Sequence, residues 1–151
     1  MDIDHKLGFV FTDVLLEVIS TSAGCSFEVL SQETDYDFET VTGVMNLNGE
    51  KGVMLFVTAN EPDMRELCSC MTGVSKDDVT AADIEDALCE IVNMAAGGAK
   101  LRLSDTDYSF MISQPFIIRG DNITVLTKKR THIISRTLGN GEISIKLKLI
   151  F

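Results

Sequence analysis

The residues best suited to chemistry lie along one segment with helical periodicity, from about residue 80 to residue 101. At about 100° per residue, one face of this segment is apolar, and a nearly opposite stripe about 80° wide is polar. Glu90 and Asn93 on that stripe are three residues apart, so their side chains are neighbours on the helix surface. The polar stripe as a whole contains Asp83, Asp86, Glu90, Asn93 and Gly97.

Glu90 offers an anionic acceptor, and the carboxamide of Asn93 both donates and accepts hydrogen bonds. A carboxamide is a poor general base, but it can hold a water molecule in line with a phosphorus atom. Such positioning supplies most of the rate when the substrate is intrinsically labile, as with the water-orienting glutamine of GTPases. An acyl phosphate is labile in this sense. The pair therefore indicates acyl-phosphate hydrolysis, and no Ser-His-Asp grouping, P-loop or GxGxxG competes with it in the sequence.

A plainer interpretation is that the polar stripe is only a solvated helix face. Asn93 argues against it, because asparagine prefers caps and turns to helix interiors. Gly97 and Gly98 follow, and each weakens a helix by about 1 kcal/mol relative to alanine. Local inconsistency of this kind often marks a functional site. It is also compatible with a helix that simply ends near Gly97, and the sequence leaves both explanations open.

Composition excludes several other functions. The chain has 151 residues, enough for one domain, and a net charge of -10 with a pI near 4.5. This charge argues against a nucleic-acid partner, and the basic run Lys128-Lys129-Arg130 is interpreted as a solvated loop or strand end. No segment resembles a signal peptide or a membrane helix, so we expect a cytoplasmic protein without a membrane partner.

The cysteines do not have the spacing of a metal site or a redox motif. We expect them to be reduced, buried or half-buried thiols, and we expect no metal site. They are Cys25, Cys68, Cys70 and Cys89.

The elements that must position the polar stripe are helices mixed with short strands. Predicted helices cover about 5–22, 61–73 and 80–101. Predicted strands cover 26–32, 36–47 (one or two strands, with Gly43 as a possible bulge), 53–57, 109–113, 116–118, 123–127, 131–137 and 142–151. The last of these alternates, with Ser144, Lys146 and Lys148 on a solvent face. This order predicts an α+β fold, with long helices packed on one face of a largely antiparallel sheet.

The two halves of the sequence echo each other. Residues 13–24 align without gaps on residues 86–97, and Asp, Leu, Glu, Ala and Gly match in register. Two later matches follow in the same order: residues 26–32 with 109–114, and residues 48–50 with 140–142. Together they predict a pseudo-two-fold repeat of a helix plus β-hairpins. The first copy keeps Asp13 and Glu17 but has Ser20 where the second has Asn93.

The pattern Asp86-x-x-x-Glu90-x-x-Asn93, followed by Gly97 and later by Pro115, resembles the CheC/CheX/FliY family of chemotaxis phosphatases. The repeat extends this resemblance over nearly the whole chain, so residues 1–151 are interpreted as a single CheX-like domain. Because Ser20 replaces the asparagine in the first copy, the chain is most similar to CheX, with one active site.

The resemblance implies that the helix docks on a phosphorylated CheY-like receiver domain of a response regulator in two-component signalling. Glu90 would contact the active-site lysine of the receiver, and Asn93 would enter its site and orient the attacking water. Mg²⁺ would be supplied by the receiver, so that the chain needs no cofactor of its own. A homodimer joined through its sheets is also implied.

The remaining motif residues have supporting roles in this interpretation. Asp83, Asp86 and Gly97 would bind the partner, and Pro115 would support the site structurally. The alternative function is a non-catalytic receiver-binding or flagellar-switch-like interaction module, because relatives of this family include flagellar switch components.

Overall fold

The computed structural model describes residues 3–126 and 132–151. Three helices pack on a largely antiparallel sheet, which confirms the predicted α+β class. The helices are α1 (Ile3–Ala23), α2 (Glu61–Thr72) and α3 (Ala81–Leu103), and a single 3₁₀ turn spans Lys76–Asp78. The strands are β1 (Glu28–Glu33), β2 (Val41–Asn48), β3 (Val53–Ala59), β4 (Met111–Ile112), β5 (Phe116–Arg119), β6 (Ile133–Gly139) and β7 (Ser144–Ile150).

The sheet has the symmetry that the sequence repeat predicts. Its strand order is β1-β6-β7-β3-β2, and β4 and β5 both pair with β2 at the far edge. The hairpins β2–β3 and β6–β7 meet antiparallel at the centre, where Leu55 lies opposite Leu149. Each half also pairs with the hairpin of the other half. Strand β1 of the first half pairs with β6, and strands β4 and β5 of the second half pair with β2. Helices α1 and α3 are the related pair, and α2 is inserted between the halves.

The apolar stripes of α1 and α3 form one layer of the core against the sheet. In α1 the stripe includes Phe11, Leu15 and Ile19, and all three side chains are fully buried. Burial of such side chains contributes roughly 1.5–3 kcal/mol each and fixes which helix face looks outward. None of the helices in the described ranges combines the length and apolar character needed to cross a lipid bilayer.

The second face of the sheet is also covered, which corrects the prediction of a half-exposed last strand. Lys148 was expected in solvent, but its side chain is fully buried. Its ammonium group donates to Asp35 Oδ1 at 2.8 Å, to the Asp35 carbonyl at 3.2 Å and to Ser135 Oγ at 3.1 Å. The loop that contains Asp35 and Phe38 therefore lies over this face, and no alternation within β7 could have revealed it.

Two predicted strands are clearly shorter than expected, and a third is not strand over the residues that the structure describes. Residues 36–40 are not strand but part of that covering loop, and only residues from Val41 onward pair. Of residues 109–113, only 111–112 form a strand. Residues 123–126 are irregular, although their apolar residues suggested a strand. The remaining ends of the predicted strands 123–127 and 131–137, Thr127 and Thr131, lie outside the described residues, as does the basic run 128–130.

Gly43 is not a bulge, because it pairs in regular register with Val57. The absence of a side chain at Gly43 instead allows α3 to pack closely against β2. A Cβ at this position would lie 2.8 Å from Val92 Cγ2 and 3.1 Å from Leu88 Cγ, far inside normal contact distance. The glycine thus lets the helix that carries the polar stripe lie directly on β2.

Candidate functional site

Helix α3 begins with a capping box formed by Thr80 and Asp83. The Asp83 N–H donates to Thr80 Oγ1 at 3.1 Å, and the Thr80 N–H donates to Asp83 Oδ2 at 2.9 Å. These bonds satisfy two of the free amide groups at the helix start. The carboxylate of Asp83 is therefore engaged within the chain and is only half-exposed. Its proposed contact with a partner stays a prediction, whereas its capping role is visible in the structure.

The central residues of the polar stripe face outward. Asp86, Glu90 and Asn93 are exposed, whereas Leu88 and Ile91 on the opposite face are fully buried. The side chains of Glu90 and Asn93 form no hydrogen bond or ion pair with any residue in the described ranges. The helix backbone satisfies its own polar groups, so these two side chains are free to bind another molecule.

The helix continues through both glycines to Leu103, so it does not end near Gly97. The two glycines have different surroundings. A Cβ at Gly98 would lie 2.6 Å from Val14 Cγ1, so this glycine lets α1 and α3 pack closely. A Cβ at Gly97 would meet nothing within 4 Å. Helix packing therefore explains the glycine at position 98. Gly97 instead leaves an open surface about one turn beyond Asn93.

The two glycines allow a matched test. Gly98→Ala is expected to lower the free energy of unfolding by roughly 1–3 kcal/mol, because the methyl group collides with Val14. Gly97→Ala is expected to raise it by up to about 1 kcal/mol, since alanine is the better helix former and space is available. Urea denaturation of both variants gives the two values. Equal effects of the same sign would contradict the packing described here.

Strand β5 is tied to the first turns of α3 by a residue that the sequence did not single out. Arg119 donates through Nε to Glu85 Oε1 at 2.9 Å and contacts the Ala81 carbonyl at 3.5 Å. Pro115 stands just before β5 and is half-buried. Proline suits this position because β5 is an edge strand, where a missing N–H is tolerated. A single arginine at a strand end carries no sequence signal that would have revealed the contact.

The family model described as "Chemotaxis phosphatase CheX" matches residues 41–138. The chain belongs to the CheX family. No curated protein sequence matches it significantly.

Solved structures of this family share the fold. A CheC-like superfamily protein from Shewanella sp. PV-4 superposes with a TM-score of 0.84 at 25% identity, covering 99% of this chain and 98% of that one. CheX from Vibrio vulnificus gives 0.83 at 20% identity, covering 95% and 97%. The structure titled as the CheX–CheY–BeF3–Mg²⁺ complex from Borrelia burgdorferi gives 0.77 at 17% identity, covering 94% of each chain.

The first-half copy of the motif is arranged differently in this CheX-family chain. Arg102, near the end of α3, forms ion pairs with both Asp13 and Glu17, and its distance to Glu17 is 2.8 Å from Nη2 to Oε1. These hydrogen bonds raise the pKa of Arg102. Ser20 is exposed and takes the place of the asparagine. Both acidic residues of α1 are thus paired with a cation within the chain, whereas Glu90 is not.

No activated thiol lies beside the stripe. Burial, and then the charges of Asp86 and Glu85, raise the pKa of the Cys89 thiol. Burial, followed by the charge of Asp83, likewise raises the pKa of Cys68. Both groups are therefore protonated near neutral pH and poor nucleophiles. All four cysteines are free thiols, and the described residues contain no cluster of metal-ligating side chains.

Proposed function

We propose that this CheX-family chain accelerates hydrolysis of the aspartyl phosphate on a CheY-like receiver domain. The observation that supports the proposal most directly is the pair Glu90 and Asn93, which is exposed, unengaged and held on a rigid helix. The family model is described as a chemotaxis phosphatase, and one structural relative is titled as a complex with CheY. A free carboxylate–carboxamide pair on a convex helix suits insertion into a pocket of another protein.

In this mechanism Asn93 contributes positioning. Its carboxamide accepts a hydrogen bond from the attacking water and holds it in line with the phosphorus atom. The receiver provides the acyl phosphate and the Mg²⁺ that neutralises its charge, so this chain needs neither a nucleophile nor a metal of its own. The reaction then transfers the phosphoryl group to water and restores the free aspartate of the receiver.

Glu90 contributes docking. Its carboxylate would form a charge-assisted hydrogen bond with the active-site lysine of the receiver, which places Asn93 at the phosphorus. Asp86 and Gly97 would contact the receiver on either side of the pair. Asp83 would lie at the margin of the same contact, and Pro115 would support it by starting the strand that Arg119 ties to α3.

The docking role of Glu90 has its own test. Glu90→Ala is expected to raise the dissociation constant for a phosphorylated receiver by about 10-fold or more, because a hydrogen bond between charged groups is worth roughly 1.5–3 kcal/mol. Glu50→Ala, an exposed glutamate in the β2–β3 loop, serves as the control and is expected to bind normally. Isothermal titration measures both. A Glu90→Ala variant that binds as tightly as the control would contradict this contact.

A receiver-binding or flagellar-switch-like module without catalysis is the alternative. It is favoured if the wild-type chain binds a phosphorylated receiver stoichiometrically but leaves the rate of phosphate release unchanged. The proposed phosphatase instead releases many phosphates per chain. A phosphate-release assay with the receiver in excess therefore separates the two functions directly.

We further infer a homodimer that acts in the cytoplasm, where response regulators receive their phosphate. The edge formed by β4 and β5 supports self-association, because Met111, Ile112 and Phe116 are exposed there and are 63%, 41% and 45% accessible. An edge strand with exposed apolar side chains is a natural surface for pairing with another sheet.

A further inference from the structure

A concave surface lies away from the polar stripe, between α1 and the strands β1 and β6 at one side of the sheet. Its volume is about 300 Å³, at the lower end of small-molecule cavities. We call it the Arg136 groove. The residues that matter for its chemistry are Gly8, Phe9, Thr12, Val29, Gln32 and Arg136.

Arg136 is unusual among the arginines in the described ranges. Arg65, Arg102 and Arg119 each contact at least one carboxylate. The guanidinium of Arg136 contacts no carboxylate that the structure describes, and its one hydrogen bond goes from Nη1 to the Ser135 carbonyl at 3.0 Å. Burial lowers its pKa, but a guanidinium stays charged at any physiological pH. A partly buried cation without a counter-ion is costly, above all in a chain of net charge -10.

The surroundings leave Arg136 accessible to a ligand. Its Nη2 lies 3.4 Å from where a Cβ of Gly8 would be, so the guanidinium lies close to the backbone of α1 at this glycine. Gln32 lies directly opposite Arg136 in the β1–β6 register and adds an amide donor on the same face. The hydroxyl of Thr12 is buried without a hydrogen-bond partner. Asp13 also lines the groove, but its carboxylate is taken by Arg102.

The remaining wall is apolar. Phe9 on α1 is 68% exposed and Val29 on β1 is 39% exposed, which is high for side chains of this size. An aromatic ring beside an unpaired guanidinium suits a ligand with an apolar body and one negative charge. A carboxylate matches the planar fork of arginine, and one guanidinium balances its single negative charge. Besides Arg136, the basic side chain that lines this groove is His5, and no lysine or second arginine in the described ranges does so.

We propose that the Arg136 groove binds a small organic carboxylate. Its carboxylate pairs with Arg136 and accepts from Gln32, and its apolar body lies against Phe9 and Val29. This site is separate from the polar stripe, and the proposal does not depend on the phosphatase activity.

Benzoate is a suitable probe, with benzamide as its neutral counterpart of nearly equal shape. Both are titrated into the ¹⁵N-labelled full chain, and amide shifts are followed in two-dimensional NMR spectra. Benzoate is expected to give saturable shifts at α1, β1 and β6, with a dissociation constant at least about 10-fold lower than that of benzamide. Absence of saturable shifts there, or equal affinity for the two compounds, overturns the proposal.

Arg136→Met tests the charge while it keeps an apolar stem of similar length. It is expected to weaken benzoate binding to the level of benzamide and to leave benzamide unchanged. Lys51→Met, in an exposed loop, makes the same change of net charge and is expected to have no effect. Benzoate binding that survives Arg136→Met overturns the proposal. The comparison of benzoate with benzamide on the wild-type chain decides the matter even if this variant does not fold.

Discussion

Asn93→Ala is expected to abolish most of the acceleration of phosphate release while it leaves the fold intact. Loss of one preorganised hydrogen-bonding group from a site of this kind costs about 10²–10³ in rate. The side chain is exposed and forms no hydrogen bond or ion pair with the described residues, so its removal leaves no buried cavity. Alanine is also the better helix former, by a few tenths of a kcal/mol. Phosphate release from a phosphorylated receiver, measured with the receiver in excess, gives the rate.

The matched control is Ser20→Ala, the same position in the first-half copy on α1. It is expected to leave the rate unchanged, because that copy has no asparagine and its acidic pair is held by Arg102. Undiminished phosphate release by Asn93→Ala would refute the catalytic assignment. An equal loss in both variants would show that the two copies act together, which contradicts a single site.

A second substitution separates positioning of water from docking. Asn93→Asp keeps the size of the side chain but brings a negative charge toward a phosphoryl group, and it loses the amide donor. We expect release to be as slow as with alanine. Asn93→Ala itself is expected to change the dissociation constant for the receiver only a few-fold, because Glu90 provides the docking contact. A drop in rate that merely follows a drop in affinity would assign Asn93 to binding.

The parts of the fold that the sequence predicts are those whose cause is local. Thr80, followed by Asp83 three residues later, predicts the start of α3, and both hydrogen bonds of the capping box are present. Gly73, at φ 77°, ends α2 as expected of a glycine after a helix. The repeat predicts the symmetry of the sheet because duplicated units fold alike. Outward orientation of Glu90 and Asn93 follows from helical periodicity, since the apolar stripe must face the core.

The parts that the sequence does not predict depend on what packs from elsewhere in the chain. Gly97 and Gly98 look equivalent, yet only Gly98 faces another helix, at Val14. Gly43 suggested a bulge, whereas its real reason is the approach of Val92 from α3. Arg102 contacts Asp13 across a separation of 89 residues. Such contacts are set by the tertiary fold. The residue type at one position does not show whether that residue packs against another element or faces solvent.

Lys148 is the clearest example of a residue whose surroundings the sequence does not predict. Its replacement has the largest expected effect on stability. Lys148→Ala is expected to lower the free energy of unfolding by about 3 kcal/mol, since it removes one partner of a buried ion pair and leaves space in the covered face. Breaking a buried ion pair costs about 3–5 kcal/mol. We expect the lower value here because the Asp35 side chain is 36% exposed and can be hydrated. Lys146→Ala, whose lysine pairs with Glu39 at 3.3 Å nearer the surface, is the control and should cost less than about 1 kcal/mol.

The same pair predicts how stability depends on pH. Burial raises the pKa of Asp35, but hydrogen bonds from Lys148 and from the Asp37 N–H, with the charge of Lys148, outweigh it and lower the pKa to about 2 from 3.8. A carboxyl group with a lowered pKa stabilises the fold above its unfolded pKa, and this stabilisation is lost as pH falls through the folded pKa. Wild-type stability is therefore expected to fall between about pH 4 and pH 2.

In Lys148→Ala, Asp35 should contribute little to this loss of stability at acidic pH. Without the lysine, the pKa of its carboxyl group in the folded state lies closer to its pKa in the unfolded state. Urea denaturation at several pH values, with Asp35→Ala alone and combined with Lys148→Ala, measures the coupling between the two groups. We expect the double variant to be more stable than the sum of the single effects indicates. Strict additivity, together with an unchanged acid slope, would mean that Lys148 is held by packing against Phe38 and Ser135 and that its charge contributes nothing.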